Sequence, residues 1–144
     1  MDSERYHDKI RLRICGLLIK DNSILLARIK SPVLNNLIWM PPGGGLEFGE
    51  SINEGLEREF KEETNLEIEV GSLQFVNELV KPPFHAVELY YIVEEVGGSM
   101  QAGTDPEHSK DKQLIDDLKW FTIDSLTKYE VHPPKLLHYF GLQP

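Results

Sequence analysis

Apolar and polar residues alternate along much of the chain, and the alternation predicts strands first. Residues 12–20 and 23–30 are rich in Ile and Leu and flank the turn-forming pair Asp21-Asn22, so they read as a hairpin. Residues 37–40 read as another short strand, and Pro41-Pro42-Gly43-Gly44-Gly45 reads as a break in regular structure. The period then changes. Ile52, Leu56 and Phe60 recur every four residues, the spacing of one face of a helix. Ser51 is a good N-cap, and Glu54 three residues later completes a capping box. Asn65 tolerates the left-handed conformation that often follows a helix, so the helix is predicted to stop near Thr64. Residues 66–80 and 86–96 are rich in β-branched and aromatic side chains and read as strands. Gly97-Gly98 and residues 101–112 read as turn and loop, residues 114–121 as a last strand, and residues 134–140 as a helix opening on proline. Strands, helix, strands, helix is the order of an α+β protein, an α/β/α sandwich on a mixed sheet.

Composition narrows this picture. A chain of 144 residues fits one domain, residues 1–144, around one core. A net charge of −9 supplies no electropositive footprint for a nucleic-acid polymer. No apolar run approaches the eighteen or so residues that span a bilayer. The first residues, Met1-Asp2-Ser3-Glu4-Arg5-Tyr6, lack an apolar signal region, so the expected location is cytoplasmic. Cys15 is the only cysteine, which excludes an internal disulfide and a Cys-based zinc site and leaves a small core residue. An acidic protein still binds a small phosphate ester when divalent cations stand between them, so the arrangement of the carboxylates becomes the main question.

Glu59, Glu62 and Glu63 fall within about 100° of arc on a helix and share one face, beside the apolar stripe. Carboxylates three and four residues apart repel by about a few tenths of a kcal/mol per pair. They also lie toward the C-terminal end, where the helix dipole disfavours negative charge. Hard divalent cations such as Mg²⁺, which take oxygen ligands, would compensate both terms. The preceding glycines let backbone approach a phosphate closely. Gly44 and Gly49 also have P-loop spacing, but Glu50 stands where that loop needs a lysine for phosphate.

Gly44, Glu50, Arg58, Glu59, Phe60, Glu62, Glu63 and Leu66 together resemble the Nudix box, here residues 44–66, and the lead-in Trp39-Met40-Pro41-Pro42-Gly43-Gly44 is similar too. Asn65 departs from the pattern, which has glycine there; asparagine is the next-best residue for a left-handed helix end. The resemblance implies a Nudix-like sandwich and a hydrolase that cuts a phosphoanhydride bond in a nucleoside diphosphate derivative. It implies Mg²⁺ (or Mn²⁺) held by Glu59, Glu62, Glu63 and the Gly44 carbonyl. It implies Glu63 or Glu59 as proton acceptor, with Glu107 or Asp111 as alternatives. Arg58 and Glu50 are expected to pair and pin the loop to the helix.

Arg28, Lys30 and Phe84 are the candidates for binding the rest of a small nucleotide substrate. Tyr90 reads as a base-stacking or core residue, His85 as a loop residue near the site, and His132 and His138 as surface or helix-packing residues. Members of the family that cleave ADP-ribose tend to carry a proline where Pro82 stands, so ADP-ribose or an ADP-sugar is the favoured substrate. Sanitising of modified nucleoside triphosphates and a non-catalytic nucleotide sensor are the alternatives. The apolar strands beyond the box offer a surface for a homodimer.

Overall fold

The structure is a computed structural model that describes residues 6–31, 35–101 and 115–143, with side chains omitted at 115 and 116. Its strands are β1 (Ile10–Lys20), β2 (Ser23–Lys30), β3 (Leu37–Met40), β4 (Gly43–Gly45), β5 (Leu66–Lys81), β6 (Phe84–Gly98) and β7 (Ile115–Thr122). Helix α1 spans Ile52–Thr64, a 3₁₀ helix spans Ile123–Lys128, and α2 spans Pro134–Tyr139. No described helix is long and apolar enough to cross a membrane.

The sheet is mixed. β1 and β6 run parallel, with Arg13 opposite Glu88 and Cys15 opposite Tyr90, and the other pairings are antiparallel. Only Ile19 and Lys20 of β1 pair with β2. The earlier part of that same edge takes β4 instead, through Arg13, Ile14 and Cys15. β2 carries β3 on one side and β7 on the other. The sheet therefore divides: β4, β1, β6 and β5 form one half, and β3, β2 and β7 the other. A cleft opens between them.

Period-two burial on β1 sends Ile14 and Leu18 to one face and Cys15 and Leu17 to the other. The first face packs α1 through Leu56 and Phe60, with Leu25, Leu66, Ile68 and Val93. The second packs α2 through Leu136 and Leu137, with Leu26, Met40, Tyr90 and Phe121. This is the sandwich expected from the element order, with one helix layer on each side. Cys15 lies fully buried in the second core, where desolvation pushes its thiol up to about 12 and leaves it unreactive.

Local chemistry explains the ends of α1. Ser51 accepts from the Glu54 N–H (3.1 Å), and Glu54 accepts from the Ser51 N–H (3.0 Å), a complete capping box. Asn65 sits in the left-handed region (φ 64°), and its N–H bonds the Lys61 carbonyl (3.0 Å). Asp21 and Asn22 both take positive φ, the backbone a two-residue hairpin needs.

Two readings need correction. Pro41–Gly45 does not simply break structure: Gly43–Gly45 is a strand, because bare glycine backbone hydrogen-bonds the free edge of β1. Gly97 and Gly98 are not a turn. They end β6 opposite Glu67 and Leu66, and Gly98 needs its positive φ of 83° to finish that pairing.

Replacing Asn65 by valine, a β-branched residue poorly suited to positive φ, is expected to cost about 1–2 kcal/mol in chemical denaturation. Asn65→Gly is expected to be close to neutral. Equal stability of Asn65→Val and the parent chain would contradict this account of the helix end.

Candidate active site

The box residues converge where α1 meets β4. Phe60 is fully buried, and its ring lies over Gly16, where an added Cβ would meet it at 2.5 Å. That contact fixes the helix's rotation on the sheet. The same rotation lays the Glu59 carboxylate against Gly44, where any Cβ would fall inside it. Glu59 is fully buried, and the Glu63 carboxylate accepts from the Gly43 N–H (3.2 Å).

Arg58 organises the cluster. Its Nε donates to Glu50 Oε2 (3.0 Å) and its Nη2 to Glu50 Oε1 (2.6 Å), a bidentate pair between helix and loop. Its Nη1 donates to Glu59 Oε1 (2.8 Å) and to Glu62 Oε2 (3.4 Å), and its Nη2 also reaches the Gly45 carbonyl (3.4 Å). The Glu50 hydrogen bond, more than any other contact, holds this guanidinium firmly protonated. Glu63 is held well above the ordinary carboxylate range, first by desolvation and then by the adjoining Glu59.

The cluster suits a hard cation in its donors, which are carboxylate and backbone oxygens, since the bare Gly44 backbone lets the Glu59 carboxylate lie against it. Its charge points the same way. Glu50, Glu59 and Glu62 outnumber Arg58, and Arg13, whose charge also reaches Glu63, is already engaged by Glu88. Among the described residues, no three His, Cys, Asp or Glu side chains are gathered tightly enough to hold a metal ion as they stand. Arg58 and the Gly43 backbone hold them instead. Glu107 and Asp111 lie outside the described residues.

Sequence reasoning missed a second polar group on the opposite face of β1. Gly45, Arg13, Glu88 and Asn77 form one row across β4, β1, β6 and β5. Glu88 Oε1 accepts from Asn77 Nδ2 (3.0 Å) and the Tyr90 hydroxyl (3.2 Å), and bonds His132 Nε2 (2.9 Å). Its Oε2 stands 3.7 Å from Arg13 Nε. Burial opposes ionisation of Glu88, but the His132 hydrogen bond and the His132 and Arg13 charges outweigh it and carry Glu88 below the usual range.

His132, read as a surface or helix-packing residue, is in fact buried. Its N–H bonds the Trp39 carbonyl (2.9 Å), and the Trp39 N–H bonds the Glu130 carbonyl (2.8 Å), so β3 hangs the histidine beside Glu88. Arg11, Arg13, Ser31, Ile38, Met40, Leu79, Ala86, Glu88 and His132 line a small open cleft.

Arg28, Lys30 and Phe84 do not line that cleft. The Arg28 guanidinium lies 5.6 Å from the Trp39 ring, Lys30 is exposed, and Phe84 packs edge-on to His7. Tyr90 is fully buried core, stacked on Phe75. His85 pairs with Glu78 (2.7 Å), and His138 is exposed. The one sequence signal for the missed group was charge inside apolar alternation, at Arg13 and at Glu88.

Comparison with known proteins agrees with the fold and the box. The NUDIX domain family matches residues 9–140, and the chain belongs to that family. It is by class a Nudix pyrophosphohydrolase, an enzyme type that acts on small nucleotides with divalent cations. An ADP-ribose pyrophosphatase of Methanocaldococcus jannaschii is 35% identical over 124 residues, covering 85% of this chain and 68% of that protein. An NAD-capped RNA hydrolase, NudC, of Pseudomonas putida is 30% identical over 122 residues; the match covers 85% of this chain but only 40% of NudC. Among solved structures, the E. coli ORF135 protein superposes with a TM-score of 0.73 at 23% identity, covering 92% of this chain and 89% of that one. A MutT NUDIX hydrolase from Burkholderia pseudomallei gives 0.73 at 22%, covering 89% and 95%.

Glu88→Gln strands the Arg13 charge and is expected to cost about 3–5 kcal/mol at neutral pH. The sign of its pH dependence follows from a folded pKa below the unfolded value of about 4.3. The ionised carboxylate stabilises the fold above that value, and this contribution is lost as pH falls through the folded pKa. The gap between parent and variant, measured by denaturation, should narrow below about pH 4.3. A constant gap would refute the assignment.

Proposed function

We propose that this chain hydrolyses a nucleoside diphosphate linked to a second moiety, with Mg²⁺ as its cation and ADP-ribose or an ADP-sugar as its preferred substrate. The observation that carries the reading is the packing of the Glu59 carboxylate on the bare backbone of Gly44, with Glu62 and Glu63 beside it. Such crowding of acids is unfavourable unless cations share it. Identity to an ADP-ribose pyrophosphatase over 68% of that protein's length supports the choice of substrate.

Glu59, Glu62 and Glu63, with backbone oxygen of β4, would hold the cation, which supplies charge neutralisation and Lewis acidity when bound. The protein's own residues do the rest. The Arg58–Glu50 pair keeps loop and helix in register, so the carboxylates present a fixed face to the diphosphate. Water forms a new P–O bond as the anhydride P–O bond breaks, and the departing phosphate keeps that electron pair. Glu63 or Glu59 accepts the water proton. ADP-ribose cut in this way gives AMP and ribose 5-phosphate. The domain over residues 1–144 is proposed to act as one unit.

Glu62→Gln/Glu63→Gln should lower kcat by about 10²–10⁴-fold with the fold intact by circular dichroism. Turnover on a panel of ADP-ribose, nucleotide sugars, dinucleoside polyphosphates and modified triphosphates should be highest for ADP-ribose and abolished by EDTA. Full activity of the double variant would sink the metal assignment. Turnover of triphosphates alone would overturn the substrate, and tight binding without turnover would make the chain a sensor.

A further inference from the structure

The cleft across β1 from the carboxylates contains a feature the reaction above does not use. Arg13 is only 5% exposed, yet among the described residues its Nε finds no hydrogen-bond acceptor. Glu88 Oε2, at 3.7 Å, is within ion-pair but not hydrogen-bond range. A buried guanidinium has five N–H donors in a fixed fork, and leaving a buried donor unmade is costly.

We propose that Arg13, with Arg11 beside it on the same face of β1, forms a seat for a phosphate-class oxyanion. The group seated would be a phosphoryl group of the substrate, so the inference rests on the reading above and names the residue that positions that group.

Three observations favour an oxyanion over a nucleobase. First, the cleft is rich in donors and poor in acceptors. Glu88 is ionised and accepts only, so His132 Nε2 must donate to it. Oε1 thus takes three donors, from Asn77, Tyr90 and His132, while Oε2 faces Arg13. That leaves little acceptor capacity for a base's amino group. Second, two guanidinium groups, Arg11 and Arg13, line this one cleft in a chain of net charge −9. Guanidinium groups beside an acidic cluster suit a ligand that is itself negative. Third, Arg13 is the cross-strand neighbour of Gly45, about 5 Å away between Cα atoms. Although Arg13 and the carboxylates leave opposite faces of the sheet, the Arg13 charge still acts on Glu63, so a phosphoryl group at Arg13 lies within reach of one held at the carboxylates. Pairing through Nε and one Nη would suit this, since bidentate guanidinium–phosphate contacts are the strongest such hydrogen bonds.

The test uses inorganic phosphate, AMP and adenosine, titrated in EDTA while the arginine Nε–H resonances are followed by NMR. EDTA removes any contribution from cations at the carboxylates. Phosphate and AMP should shift the Arg13 signal, and adenosine should not. Arg13→Gln should abolish phosphate binding. Because that variant leaves Glu88 unpaired, Arg13→Met/Glu88→Gln serves as the folded control: it should melt like the parent and still fail to bind phosphate. Adenosine shifting Arg13 as strongly as AMP would overturn the seat in favour of a base pocket. Phosphate binding by the double variant at parental affinity, or no response of Arg13 to phosphate, would overturn it outright. The carboxylate variants of α1 keep Arg13 and should still show a phosphate-dependent shift of its signal, so failure of the hydrolase reading and failure of the seat appear in different experiments.

Discussion

A carboxylate lies against naked backbone at the centre of this molecule, and most of the site follows from that contact. Glu59 is fully buried, Gly44 has no side chain to keep it away, and Arg58 answers it from the same helix. None of the three works alone. Burying the ionised acid without the guanidinium would cost about 3–5 kcal/mol or force it to take up a proton. A side chain at Gly44 would displace the Glu59 carboxylate from the backbone. The guanidinium in turn needs Glu50 to hold it, which ties the loop after β4 to α1. Helix, glycine strand and loop are thus one electrostatic unit resting on the Phe60–Gly16 contact.

The divided edge of β1 gives that unit its setting. Because β1 pairs with β2 only at its end and with β4 before that, one strand serves both halves of the sheet. Its alternating faces then carry different chemistry. Ile14 meets the helix that bears the box, whereas Arg13, one residue earlier, enters the cleft with Glu88 and His132. A one-residue slip of β1 would exchange the two faces and abolish both sites. The register set by the parallel β1–β6 pairing therefore matters to function as much as to packing.

What the sequence revealed was local. The capping box, the left-handed Asn65 and the Asp21-Asn22 turn depend on residues close together in the chain and were legible from spacing, and the Arg58–Glu50 pair followed from the resemblance of the box. The glycine strand was not, because its pairing partner lies about thirty residues earlier on an edge that becomes available only once β2 diverges. The Arg13–Glu88–His132 group was hidden for the same reason: its members come from β1, β6 and the segment beyond the 3₁₀ helix, and only register brings them together. Arg28, Lys30 and Phe84 suggested themselves by residue type, and none of them lines the cleft beside Arg13.

The suspension of His132 from β3 also separates the acidic centre from the cleft in what each depends on. The backbone bonds between Trp39 and the stretch Glu130–His132 join an early strand to a late segment. The glycine strand and α1 are held by β1 and the core beneath the helix. The cleft takes from the late segment one wall and one of the donors that keep Glu88 ionised beside Arg13. Loosening those two backbone bonds would therefore open the cleft and spare the acidic centre.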